Sequence, residues 1–151
     1  MTRIDFYHLQ TQNLDMVLPK LIEKAYETGK KIKIKVGKEE NLEKINTLLW
    51  TYQNLSFLPH GTKKDGFAEM QPVFLSCDDE NPNHSEMLFL VDGASCNFEE
   101  ASVYSRILNI FDGNSSTALD QARQFWKDLK TNNLELFYWQ QDSSGKWIQK
   151  Q

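Results

Sequence analysis

Two hydrophobic periods take turns from the first residues of this chain. "RIDFYHL" alternates enough to be a strand, after which Leu14, Val17, Leu18, Leu21, Ile22 and Ala25 follow the i, i+3, i+4, i+7 spacing of an amphipathic helix. "KIKIKV" then returns to period two. Strand, helix, strand in this order predicts an α/β fold in which helices cover both faces of a sheet. Asp15 is the expected N-cap of the first helix, with Pro19 in its first turn and Gly29 at its end. In "KIKIKV" the isoleucines and Val36 point one way and Lys31, Lys33 and Lys35 the other, so a half-buried strand is expected, its exposed lysines guarding against edge pairing.

A second helix is expected over residues 39–50, with Leu42, Ile45, Leu48 and Leu49 inward. The irregular "TYQNLSFLPHGTKKDG" follows, then a short strand in "QPVFLS" and a polar loop in "CDDENPNHSE". "MLFLVDG" has the continuous apolar character of a central strand buried on both faces. Asn97 and Glu100 have the spacing of a capping box, which predicts a helix running to about residue 111 and closed by Asp112 and Gly113. A last helix is expected over 116–131, and "LELFYWQQ", "DSSG" and "KWIQK" read as a terminal antiparallel hairpin. The hairpin makes the expected sheet mixed, mostly parallel. With no repeat or linker to divide it, residues 1–151 read as a single three-layer domain.

Several function classes are excluded by what the residues lack. The turn after the first strand has no glycine, and "VDGASCNF" has neither GxGxxG spacing nor a P-loop lysine, so no backbone cradle for a pyrophosphate is expected and Asp92 reads as a strand end. Cys77, Asp78, Asp79 and His84 lack the regular spacing of a zinc site and read as a solvated loop. His8 and His60 have no serine or cysteine partner in a nucleophile motif. No catalytic residue, metal or cofactor is expected. Cys77 and Cys96 form no CxxC pair and are expected to stay reduced. No targeting segment is expected, since no apolar stretch follows Met1–Asp5, and the longest apolar run, Met87–Val91, is far short of the roughly 20 residues of a membrane span. A cytoplasmic location is expected. The net charge of -4 and pI near 5.4 argue against phosphate-backbone binding by the whole chain, so direct DNA binding of consequence is not expected.

Two stretches remain open. In "SFLPHG" an apolar pair stands in an irregular segment, which suits a plug in its own core as well as an exposed docking surface. In "ARQFWKDLK" Phe125 completes a core stripe with Leu119, Ala122 and Leu129, and Trp126 falls at its margin. Arg123, Lys127 and Lys130 form one basic ridge beside that indole. An ordinary solvated face accounts for them; so does a cup for an acidic, aromatic ligand, the guanidinium holding a carboxylate and the indole walling a ring.

"FYHL", "LLWTYQNLSFLPHG", "MLFLVDG", "ARQFWKDLK" and "LFYWQQDSSGKW", in this order over nearly the whole chain, resemble the chi subunits of bacterial DNA polymerase III holoenzyme, accessory proteins of the clamp loader. The resemblance implies a Rossmann-like, non-catalytic adaptor in DNA replication. Such an adaptor links the polymerase complex to the acidic, Pro-Phe-terminated tail of single-stranded-DNA-binding protein. It further implies that Arg123, Trp126 and Lys127 bind that tail; a further basic position of the family is Leu119 here, and Lys130 offers a neighbouring cation. Trp50, Phe57, Leu58, Pro59 and His60 match the region that meets the psi subunit, another clamp-loader component, or an iron-sulfur repair helicase. The competing reading is a direct single-strand binder using Trp126, Trp139 and the basic ridge.

Overall fold

A computed structural model describes residues 2–52, 60–132 and 134–151 of the chain. Strands β1 (Arg3–Leu9), β2 (Ile32–Val36), β3 (His60–Gly61), β4 (Val73–Ser76), β5 (Met87–Val91), β6 (Arg106–Asp112), β7 (Glu135–Gln141) and β8 (Trp147–Gln149) form one sheet. Their order is β3-β4-β2-β5-β6-β1-β7-β8. Neighbours pair in parallel, apart from the closing antiparallel hairpin of β7 and β8. Helices α1 (Leu14–Glu27), α2 (Glu39–Thr51), α3 (Phe98–Ala101) and α4 (Ser116–Lys130) complete the α/β architecture. Residues of α1 and α2 pack with Tyr7, Leu9, Ile32, Ile34 and Val36 on one face. Those of α4 pack with Ile4, Phe6, Leu88 and Leu90 on the other.

The expected helix over 97–111 is wrong beyond its first turn. Asn97 does cap α3 by accepting from the Glu100 amide, but the helix stops at Ala101 and Arg106–Asp112 is the strand between β5 and β1. Ile107, Leu108, Ile110 and Phe111 are all buried, and a segment this apolar on both sides satisfies its backbone best as an interior parallel strand. The reading of "KIKIKV" as half-buried also fails: β2 lies between β4 and β5, and all five of its residues are buried. Lys33 is fully buried, its amine donating to the Asp78 and Glu80 carbonyls, and burial pushes its pKa down to about 8. Lys35 donates to Asp79 at 2.7 Å and Glu100 at 3.0 Å; burial opposes its charge, but these carboxylates raise its pKa. The two amines tie down a polar loop rather than protect an edge.

Smaller differences concern the helix ends. Asn13, not Asp15, caps α1, accepting from Met16 N. Pro19 therefore lies in the second turn, where it removes the amide that would bond the Asp15 carbonyl. Gly29 follows the helix with φ of +83°, as its place at a helix end requires. On α2, Asn46 is buried and Leu48 only partly so.

Under the β1 and β7 end of the sheet one carboxylate gathers three donors. Asp5 is completely buried and accepts from Arg3 Nε at 3.0 Å, Arg106 Nε at 3.0 Å and Trp139 Nε1 at 2.9 Å. Burial pushes the carboxyl upward, yet the hydrogen bonds and positive charge outweigh it and hold its pKa below the ordinary value. As pH falls the unfolded chain takes the proton first, so the stability Asp5 contributes is complete above about pH 4 and drains away below it. Asp5→Asn is expected to lose roughly 2 kcal/mol at neutral pH and to flatten the acid limb of the stability curve. Urea unfolding as a function of pH measures both; an unchanged acid limb contradicts the assignment.

Candidate partner-binding surfaces

The ridge on α4 is built as its spacing predicts. Ser115 caps the helix by accepting from Ala118 N; Ala122, Phe125 and Leu129 are buried, and Leu119 is partly buried against the same core. Arg123, Lys127 and Lys130 are exposed. Arg123 has a side chain 65% exposed, and its closest carboxylate among the described residues, Asp120, stands 3.9 Å away and is itself solvated, a weak tether. The guanidinium is available to a ligand. Trp126 sits half-buried with its ring edge-on to Phe6 at 5.1 Å and to Tyr138 at 6.0 Å, which holds the indole at the margin of the core beside the ridge.

Two residues near that indole were not singled out for the site from sequence. His8 Nδ1 and the Tyr138 hydroxyl share a hydrogen bond of 2.7 Å, and both rings contact Phe111. Burial lowers the pKa of His8, and the positive Arg123 lowers it further, so the ring beside the ridge is neutral at physiological pH. Burial raises the pKa of Tyr138, against the pull of Arg123. The same guanidinium thus acts on both groups. A residue at Gly113 other than glycine would bring its Cβ within 1.9 Å of the His8 ring, so this glycine lets the imidazole approach the backbone closely. The only sequence signal was the period of two that puts Phe6, His8 and Tyr138 on the α4 face of their strands.

Trp139 points to the opposite face. Its indole stacks on Tyr7 and donates to Asp5, in the core shared with α1 and α2. Trp126 and Trp139 therefore do not form one stacking platform, and the direct single-strand reading loses the pair it relied on.

The second expected surface is brought together in part. Trp50, at the end of α2, is 43% exposed and stacks on His60 of the edge strand β3, ring centroids 4.0 Å apart. His60 itself is buried. Phe57, Leu58 and Pro59 lie outside the described residues. Six strand spacings separate β3 from β7, about 29 Å at the usual interval, so the two surfaces occupy opposite ends of the sheet.

The loop over 77–84 is held by lysines: Lys63 pairs with Asp78 at 2.9 Å and Lys35 with Asp79. Asp92 ends β5 with a left-handed φ of +58° and caps α2, accepting from Lys38 N at 3.0 Å and Asn41 Nδ2 at 2.9 Å. Cys77 and Cys96 are unpaired thiols whose pKa values burial pushes up to about 11 and about 12. Among the described residues no helix is long and apolar enough to cross a membrane.

The sequence profile of the family described as DNA polymerase III chi subunit, HolC, matches residues 1–136, a span that contains α4. A protein of Rickettsia prowazekii (strain Madrid E) named probable DNA polymerase III subunit chi is 31% identical over 91 residues. That alignment covers 60% of this chain and 55% of the relative, so the chain spans about half the relative's length.

Proposed function

The chain belongs to the DNA polymerase III chi subunit family, and from that membership we propose that it works as a non-catalytic adaptor of the replicative polymerase. In this reading residues 1–151 act as one domain with two docking surfaces. The α4 surface takes the acidic, Phe-terminated tail of single-stranded-DNA-binding protein, and the Trp50 end takes a clamp-loader partner such as psi, or a repair helicase. The observation that carries it is the pairing on α4 of a solvated guanidinium with a partly open indole. Arg123 is weakly tethered, while Trp126 is held edge-on by Phe6 and Tyr138. A terminal carboxylate suits the planar fork of the arginine, and the adjoining phenylalanine ring suits the indole wall. Lys127 and Lys130 add positive charge where the tail's aspartates approach, Leu119 contributes apolar surface, and the neutral His8–Tyr138 pair lines the far side.

The separation of the surfaces makes the adaptor reading testable as a whole. Trp50→Ala is expected to weaken capture of the psi or helicase partner by about tenfold or more, since an exposed aromatic is the usual anchor of such contacts. It should leave the affinity for a tail peptide within about twofold, because sites this far apart with no shared partner act independently. Calorimetry with each ligand alone and in the presence of the other decides it. Mutual exclusion of the two ligands contradicts an adaptor.

A further inference from the structure

Beside the basic ridge of α4 stands a second hydrogen-bonding unit, built on strands. Tyr138 of β7 is edge-on to Trp126 at 6.0 Å, and Trp126 lies one turn along α4 from Arg123. The Tyr138 hydroxyl is 2.7 Å from Nδ1 of His8 on β1. Both rings also contact Phe111 of β6, the imidazole at 5.2 Å and the phenol at 6.1 Å. Three strands joined by parallel ladders therefore fix where this hydroxyl sits, whereas the exposed Arg123 side chain fixes its own position poorly.

Few charged or titratable groups act on the imidazole. Tyr138 from β7 shares its hydrogen bond, Asp112 from β6 favours its protonation, and Arg123 from α4 opposes it. Asp112 is already engaged, accepting from the Asn114 amide at 2.9 Å. The charge of Arg123 acts on the phenol as well. A guanidinium on α4, a hydroxyl on β7 and an imidazole on β1 thus share one electrostatic neighbourhood, and an anion brought to the first is felt by all three.

We propose that the carboxylate held by Arg123 is also held by the Tyr138 hydroxyl, with His8 as the positioning residue that turns this O–H toward it. The assignment rests on the tail-binding reading of α4 and adds what makes that surface selective for a terminal carboxylate. A phenol donates one hydrogen bond and accepts others. When His8 donates through Nδ1–H, the phenolic proton is left for the ligand; when Nδ1 accepts, that proton is used within the pair. A carboxylate next to Arg123 selects the first arrangement. A proton linkage follows. In the free chain burial and the charge of Arg123 hold the imidazole neutral. A carboxylate on Arg123 offsets that repulsion and favours the protonated ring, which can only donate. The tail therefore takes up part of a proton as it binds, and its affinity rises as pH falls from about 8 to about 6.

Calorimetry of the full chain with a synthetic acidic peptide ending in Pro-Phe, made with a free terminal carboxylate and with a terminal amide, tests this. Tyr138→Phe keeps the ring against Trp126 and removes only the hydroxyl. It should weaken the acid form about tenfold and the amide form less than about twofold. His8→Gln, whose amide can still donate to the hydroxyl but cannot titrate, should bind within about threefold of the natural chain at pH 8 and lose the rise toward pH 6. Should either variant fail to fold, ¹⁵N titration of the His8 ring in the natural chain carries the test: its midpoint should lie about half a pH unit or more higher with the acid-form peptide saturating. Tyr138→Phe weakening both peptide forms equally, or neither, overturns the inference and leaves the tail-binding reading in place. So does a His8 midpoint that the peptide does not move, or a rise toward pH 6 that survives His8→Gln. Failure of the natural chain to bind either peptide form overturns both.

Discussion

Phe125→Ala is expected to lose about 3–5 kcal/mol of folding stability, because it empties the space between α4 and the sheet. Phe125 is 6% exposed and its ring lies 5.6 Å from that of Phe6, in the core formed with Ala122 and Leu129. Neighbouring Trp126 contacts the same Phe6 ring but is only half-buried, so water can occupy part of the space it leaves. Trp126→Ala should therefore cost clearly less stability and more binding. Denaturant unfolding of the two variants separates them. If Phe125→Ala were nearly neutral for folding, the helix would not be seated as described, and the placement of Trp126 beside Phe6 would fall with it.

The division of labour between these adjacent aromatics was legible in the sequence because it is local. Helical spacing alone puts Phe125 on the core stripe and Trp126 at its edge, as observed. The same holds for β1, β5 and the terminal hairpin, whose strand character is carried by their own local residues. What failed was set by distant partners. "RILNIF" satisfies helix and strand spacing alike, and only its place between β5 and β1 makes it a strand. Lys33 and Lys35 look solvent-facing until β4 and β5 flank β2 and the acidic loop reaches their amines. His8 and Tyr138, 130 residues apart, meet only through the parallel pairing of β1 and β7, so no motif could connect them to Arg123.

Arg123→Ala is expected to weaken binding of the acidic, Phe-terminated tail by about 2–4 kcal/mol, since the guanidinium supplies paired charge-assisted hydrogen bonds to the terminal carboxylate. Folding stability should change by less than about 0.5 kcal/mol, because the only ion pair lost within the described fold is the loose, solvated one to Asp120. Lys127→Ala should cost less and mainly alter the salt dependence, as its amine is exposed on the rim. A tail peptide ending in an amide removes the carboxylate from the other side. The most direct measurement is a calorimetric cycle combining the natural chain and Arg123→Ala with the acid and amide forms of that peptide. Contact between the guanidinium and the terminal carboxylate predicts that the two changes together cost little more than either alone. Losses that add in full would mean that the two groups never meet, and α4 would present no more than a solvated basic face.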